Sequence, residues 1–401
     1  MAIVSVSAAN VVTAQGGVGN RPPSVSFRSI DAPLLTVATV LALVGLVMVG
    51  SASMTIAADQ TGNPFSLLIR QGSHLLIGVL LGWLVLHIPL RLWEVAGPYL
   101  LVVSIIVLAL VPIVGLNING STRWLRVGPV NIQPSEFVKL FVLIYISGFL
   151  VRHKEEIATT RGFMKILAVL GTIGALLLLE PDFGAAVVIM TAGLGLMFLG
   201  GVCLRRFTVL VVALIGVLGI LVMIAPYRLE RMLGFLNPWA DRYGGGFQLT
   251  QALIAFGRGD WTGTGIGGSI QKLYYLPEAH TDFLFAIIGE ELGLVGSIGL
   301  ILAFFYMIWR GFRIGQIAER SGAVFAAFLA YGISLWLGFQ GFINLGVNVG
   351  LLPTKGLTLP LISYGGSSLF VTCMALGLLL RIHLETNPSA HRHGAKRRVS
   401  A

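Results

Sequence analysis

Ten long apolar runs, separated by polar connections, set the pattern of the chain: residues 33–54, 71–88, 95–115, 137–151, 162–179, 185–202, 207–226, 283–309, 323–345 and 369–380. Most approach the roughly 20 apolar residues that a helix needs to cross hydrocarbon, and weakly polar flanks extend the shorter ones. Hydrocarbon leaves no partner for an unpaired N–H or C=O, so each run is predicted to be a helix. The expected fold is an all-α polytopic membrane protein with about ten transmembrane helices.

Composition sharpens this. The 401 residues are 56% hydrophobic and 11% charged, less than half the roughly one-quarter charged residues of a soluble domain. Lipid must face much of the surface. A net charge of +10 raises the question of nucleic acid, but there is no basic stripe interleaved with aromatics, so no nucleic-acid partner is expected. Cys203 and Cys373 lie at or within apolar runs and imply neither a disulfide framework nor a thiol metal site. Residues 1–30 lack a basic start and read as a flexible cytoplasmic tail rather than a cleaved signal peptide. Residues 31–384 form one membrane domain, and 385–401 a basic cytoplasmic tail suited to anionic headgroups.

Basic residues orient the spans. With both termini inside, the cytoplasmic segments hold 17 of the 27 Lys and Arg. The other ten stand where that rule disfavours them. Arg70, Arg123, Arg126, Arg228, Arg231, Arg242, Arg258, Lys272 and Lys355 lie in or beside outer loops, and Lys139 lies inside the fourth helix. An anionic ligand on the outer side would account for such cations. Two outer connections are long. Residues 227–282, between helices 7 and 8, contain the amphipathic pieces 228–236 and 247–256 and then a glycine-rich stretch, and their aromatic content argues against disorder. Residues 347–368 carry Pro353, Pro360 and Gly365-Gly366 and are candidates for a re-entrant segment.

Ionisable groups at membrane depth are candidates for function. Glu136 and Lys139, three apart, share a helix face and read either as a structural ion pair or as a ligand-facing pair. Glu180-Pro181-Asp182 makes a tight outer turn in which Asp182 either caps the next helix or serves the site. Asp282, beside His280 and Glu278, is either another N-cap or a half-dry carboxylate whose raised pKa suits a general base. His280 reads as a hydrogen-bonding spacer, or else as a metal ligand or proton carrier. Glu290 and Glu291 read mainly as structural, one pairing with a buried cation and the other orienting loop backbone. Gly263-Thr264-Gly265-Ile266-Gly267-Gly268 fits a dinucleotide fingerprint in form only, since no strand or βαβ unit surrounds it. Tight turns, with backbone N–H groups near a phosphate, suit it better. Gly289-x-x-x-Gly293 reads as helix-packing glycine.

Five blocks, Asn119-Gly120-Ser121-Thr122-Arg123-Trp124, Gln133-Pro134-Ser135-Glu136-Phe137, Glu180-Pro181-Asp182-Phe183-Gly184, Leu276-Pro277-Glu278-Ala279-His280-Thr281-Asp282-Phe283 and Pro360-Leu361-Ile362-Ser363-Tyr364-Gly365-Gly366-Ser367-Ser368, occur in this order. Together they resemble the SEDS family of bacterial cell-wall polymerases, the group of FtsW, RodA and SpoVE, over residues 48–380. Segments 271–280 and 351–360 look like its division branch. The resemblance implies a peptidoglycan glycosyltransferase that polymerises lipid II, an undecaprenyl-pyrophosphate-linked disaccharide pentapeptide, during septal synthesis. It also implies a multi-pass protein of the bacterial inner membrane at the division septum, working with a class B penicillin-binding protein, FtsI, and other divisome proteins. The family's catalytic carboxylate carries over to Asp282, and its outer cavity to Glu136, Lys139, Asp182 and Arg70. Arg123, Trp124, Arg126, Glu180, His280, Lys355 and Ser363, in or beside the same segments, complete the candidate substrate contacts.

The residues suit that chemistry. A sugar hydroxyl attacking an anomeric carbon needs a base. The pyrophosphate leaving group needs positive charge rather than an acid, from Arg and Lys or from a divalent cation, Mg2+ or Mn2+. The competing classes are a lipid II flippase or transporter, to which intramembrane carboxylates and broken segments would be suited, and a divisome scaffold.

Overall fold

The computed structural model describes residues 30–118, 121–128, 130–157, 159–224, 234–235, 237–240, 244–354 and 356–387. Each predicted run overlaps one of ten described helices, overrunning its ends by at most three residues and with 225–226 outside the described residues: α1 (Ala32–Thr61), α2 (Ser66–His87), α3 (Leu90–Val114), α4 (Pro134–Arg152), α6 (Thr160–Leu179), α7 (Phe183–Leu199), α8 (Leu204–Ile224), α10 (Leu284–Arg320), α11 (Val324–Asn348) and α12 (Gly366–Thr386). Among the described residues, eight of these are long and apolar enough to cross a membrane; α7, with 17 residues, is shorter. Also described are a short α5 (Lys154–Ile157) and an amphipathic α9 (Phe247–Gly259). The amphipathic piece at 247–256 is thus a helix, whereas most of 228–236 lies outside the described residues, as do residues 1–29 and 388–401 of the two tails.

One element has no counterpart in the apolar pattern. Between α3 and α4, β1 (Leu116–Ile118), β2 (Ser121–Val127) and β3 (Val130–Ile132) form a three-stranded antiparallel sheet in the order β1-β2-β3. Leu125 faces Ile132 and Arg126 faces Asn131 across the β2–β3 pair. The strands are short and mixed in polarity, so their period-2 signal is weak.

α4 and α12 are the most enclosed of the long helices, while α1, α2 and α3 turn most of their surface outward. α2 lies along α12 through small residues. A Cβ on Gly82 would come within 2.6 Å of the Cys373 carbonyl, so the two backbones nearly touch. Such small-residue seams replace the hydrophobic effect as the source of helix contact inside lipid. At the end of the bundle where α1 begins, Asp31 caps α1 through the Leu34 N–H (3.0 Å) and takes a bidentate pair of bonds from Arg310.

Two irregular segments enter the bundle. Residues 351–354 and 356–365 have no regular structure between α11 and α12, yet Leu357, Leu359, Leu361 and Ile362 are buried. A Cβ on Gly45, midway along α1, would lie 2.6 Å from the Ile362 Cα. The segment therefore dips to the middle of α1, as the re-entrant reading expects.

The second irregularity is a break in α10. Gly293 has φ 66° and ψ −165°, outside the helical region, and divides α10 into 284–292 and 294–320. The freed backbone groups find partners in the glycine-rich loop. Thr264 and Gly265 donate to the carbonyls of Glu290 and Glu291 (2.9 and 3.0 Å), and Leu294 and Val295 donate to Asp260 and Trp261 (2.9 and 3.1 Å). A broken helix survives at membrane depth when other protein satisfies it in this way. The Gly289-x-x-x-Gly293 reading is accordingly corrected. Gly289 does admit a neighbour, the Phe256 ring, but Gly293 is the break itself.

Candidate active site

Every described candidate residue lies at one end of the bundle: Arg70 in the first turns of α2, Arg123, Trp124 and Arg126 on β2, Glu136 and Lys139 at the start of α4. Glu180 and Asp182 form the α6–α7 turn, His280 and Asp282 precede α10, and Ser363 precedes α12. Lys355 lies outside the described residues, as do Arg228, Arg231 and Arg242.

Asp282 is half-buried and does not cap α10. Phe283 holds the cap position and no side chain bonds there. The capping alternative therefore falls away. Its backbone is pinned instead, because the side-chain amides of Asn344 and Asn348 both donate to the Asp282 carbonyl, at 3.0 and 2.9 Å. Burial pushes the Asp282 carboxyl up to about 7; Glu278 adds to this and Arg123 opposes it. The carboxylate faces the re-entrant segment, where a Cβ on Gly356 would be 3.0 Å from Asp282 Oδ2.

His280 is fixed through its own carbonyl, which accepts from the Tyr364 N–H at 3.0 Å. Its ring lies 5.5 Å from that of Tyr364, which in turn lies 6.2 Å from His74 on α2. Burial holds the His280 imidazole below its ordinary pKa, and its Nδ1 is buried without a hydrogen-bond partner. Burial also raises the Tyr364 phenol, against the pull of Arg70, which is hydrogen-bonded to it. Arg70 itself is exposed. The Ser363 hydroxyl accepts from the Leu359 N–H, and its carbonyl accepts from Gln71 of α2 at 3.3 Å.

The α6–α7 turn is braced from the sheet. Arg123 donates to the carbonyls of Glu180 (3.2 Å) and Pro181 (2.5 Å). Asp182 does cap α7 through the Ala185 N–H at 3.1 Å, and its other oxygen accepts from Gln133 (3.0 Å) and Ser135 (2.8 Å). The Glu180 carboxyl is fully buried, with neither oxygen partnered. Burial, reinforced by Asp182, pushes it up to about 8 in spite of Arg123. Trp124 is half-buried and Arg126 is exposed on the same strand.

Lys139 is buried and its ammonium is engaged within the bundle, by Glu136 (2.8 Å) and by Gln340 Oε1 (2.7 Å). Gln340 continues to the Thr358 carbonyl at 3.0 Å, so the pair ties α4 and α11 to the re-entrant segment. This is the ion-pair reading of Glu136 and Lys139. Among the described residues, the exposed cations in or beside the loops at this end are Arg70, Arg126 and Arg258, the last paired with Glu290 at 2.9 Å.

Three residues escaped the sequence reading. Gln340, Asn344 and Asn348 follow one another at intervals of four on an otherwise apolar helix, one polar stripe on one face. That spacing was the available signal. Among the described residues, no group of three or more His, Cys, Asp or Glu is placed to hold a metal ion.

Residues 31–388 match the model of a family described as Cell cycle protein, FtsW/RodA/SpoVE. The chain belongs to the FtsW/RodA/SpoVE family. It is 52% identical over 369 residues to the probable peptidoglycan glycosyltransferase FtsW of Nitrosococcus halophilus, covering 91% of this chain and 95% of that one. To the protein of the same description from Hahella chejuensis it is 51% identical over 360 residues, covering 89% and 91%. Among solved structures, it resembles a chain of a peptidoglycan synthase complex studied for the coordination of polymerization and crosslinking (TM-score 0.76, 32% identity, 90% and 99% covered). It also resembles the rod shape determining protein RodA of Thermus thermophilus (TM-score 0.68, 29% identity, 90% and 99% covered). In this FtsW/RodA/SpoVE chain, the match spans both irregular segments and the whole candidate site.

Proposed function

We propose that the chain is a peptidoglycan glycosyltransferase that polymerises lipid II, with Asp282 as its general base. The observation that carries this is the Asp282 carboxyl, pushed up to about 7 at the mouth of the re-entrant segment, on a backbone whose carbonyl is held by two asparagines. A base with a pKa near the working pH combines a useful ionised fraction with a real pull on the proton. The acceptor sugar hydroxyl gives its proton to Asp282 as its oxygen forms the new bond to the anomeric carbon of the donor. The bond from that carbon to the pyrophosphate oxygen breaks, and the lipid pyrophosphate leaves with the electron pair. Exposed Arg70 and Arg126 are cations that can meet the departing charge. A divalent cation, Mg2+ or Mn2+, would add positive charge at the same pyrophosphate.

A lipid tail on the substrate suits a site at the rim of a helical bundle. The expected setting is the bacterial inner membrane, with ten spans, both termini cytoplasmic and enrichment at the division septum. The expected partner is a class B penicillin-binding protein, FtsI.

The test is a polymerisation assay. The chain is purified with its cognate transpeptidase and given labelled lipid II and a divalent cation; products are resolved on a gel, with Asp282→Ala alongside. A glycan ladder from the wild type and none from the folded variant supports the reading. A ladder from Asp282→Ala would remove Asp282 from the chemistry. Lipid movement across liposomes without any ladder would favour the flippase class.

A further inference from the structure

Away from the reacting groups, a buried polar cluster joins three parts of the chain that are distant in sequence. Glu291, in the outer half of α10, accepts from Ser51 of α1 (2.7 and 2.8 Å) and from the Lys272 ammonium (2.8 Å). Lys272 also donates to the Ser51 hydroxyl at 3.0 Å. All three residues are buried. Beside them Glu290 takes the backbone N–H of Ile270 (3.0 Å) and Gln271 (3.3 Å), the Ser269 hydroxyl and the Arg258 guanidinium (2.9 Å). The anion held by the N–H groups just after the glycine-rich stretch is therefore the protein's own carboxylate, while Thr264 and Gly265 within it donate to backbone carbonyls.

These bonds seat the start of the segment that ends at Asp282. From Lys272 to Asp282 the chain runs through turns without helix or strand, so its shape is set by where it is anchored. One anchor is the Asn344–Asn348 pair at Asp282 itself, and another is the Tyr364 N–H on His280. The Ser51 anchor reaches α1. The re-entrant segment meets the same helix at Gly45. Both walls of the site are thus registered against α1.

A buried Lys–Glu pair is weak evidence of stabilisation, because apolar side chains of similar size often serve the fold as well. What such side chains cannot reproduce is the directional three-way link. We propose that Lys272, Glu291 and Ser51 are positioning residues for glycosyl transfer, which hold the 269–283 segment on α1 so that the Asp282 carboxylate meets the acceptor in register. This rests on Asp282 being the base.

The experiment compares Ser51→Ala, Lys272→Met/Glu291→Leu and Lys272→Arg in the polymerisation assay, in complex with the transpeptidase, with thermal melts alongside. The double variant is expected to melt close to the wild type and to lose at least about tenfold in kcat, since small displacements of a reacting group carry penalties of that order. KM for lipid II stays within about twofold, because the segment's role lies in the chemical step. Ser51→Ala keeps both charges and lowers kcat at unchanged KM; it decides the matter if the double variant does not fold. Lys272→Arg retains most of the rate. A folded double variant or Ser51→Ala with wild-type kcat, or a loss confined to KM, overturns the proposal. Asp282→Asn is run in parallel. Polymer from that variant would sink the base assignment, whereas an inactive Asp282→Asn beside a fully active double variant sinks the positioning role alone.

Discussion

The side chain of Asn348 bridges the start of α10: its amide donates to the Asp282 carbonyl at 2.9 Å, and its Oδ1 accepts from the Ala286 N–H at 3.1 Å. The catalytic candidate is thereby placed by a helix that follows it by some sixty positions, |i−j| being 66 for this contact. Asn348→Ala leaves the carbonyl one donor short, at about 1–3 kcal/mol for a buried group. The expected outcome is a modest fall in melting temperature with a larger fall in polymerisation rate, read by a melt and a gel on the same preparation.

The raised Asp282 carboxyl sets the pH dependence. As a base it must be ionised, so kcat should fall as pH drops through about 7, by about tenfold per unit on the acid limb. A rate that is flat between pH 5 and pH 8, with chemistry limiting, would exclude this role.

The same shift makes a stability prediction of definite sign. A carboxyl whose folded pKa exceeds its unfolded value of 3.8 binds its proton more tightly in the folded state. Ionisation therefore weakens the fold progressively as pH rises from about 4 to about 7. Asp282→Asn should leave the melting temperature unchanged at pH 4 and raise it above pH 7. Glu180→Gln should behave alike, with its gain complete only above about 8.

Removing one partner of a buried ion pair typically costs about 3–5 kcal/mol. Lys139→Met strands Glu136, whose second oxygen already lacks a partner, and should destabilise strongly. Adding Glu136→Gln should recover much of that loss, measured by chemical denaturation in detergent micelles.

Gly263 has φ +79°, and a Cβ there would strike the Glu291 carbonyl. Gly263→Ala therefore combines backbone strain of about 1–3 kcal/mol with ejection of the loop from the helix break. Loss of folded protein on size-exclusion chromatography is expected, while Gly265→Ala, with open space around its Cβ position, should be milder.

The helices were legible because hydrocarbon imposes one long-wavelength signal, a run of apolar residues, that outweighs local propensity. The two glutamates were legible as well. Glu291 pairs with buried Lys272 and Glu290 orients loop backbone, the division of labour that their position suggested. The small sheet was not, because two of its strands have three residues each and the seven-residue β2, Ser-Thr-Arg-Trp-Leu-Arg-Val, does not alternate cleanly between apolar and polar. Nor was the break at Gly293, where a single positive φ hides inside an apolar, helix-like sequence. At the site, Asp282, His280 and Asp182 stood out as polar residues at helix boundaries. Their supports, Gln340, Asn344 and Asn348, did not, since uncharged amides inside an apolar run barely disturb it. Lys139 was visible as a misplaced cation, but which partner claims a buried charge depends on three-dimensional neighbours such as Gln340.

The gap in α10 and its patch also have an order in time. Residues 260–265, which close the gap, precede α10 in the chain, so the groups that satisfy the broken helix are synthesised before it. The pins on Asp282 have the opposite order, since Asn344, Asn348 and the re-entrant segment are all synthesised later. A chain that ends after α10 would lack these contacts, so the support of the Asp282 backbone is complete only once the last two helices and the segment between them are in place.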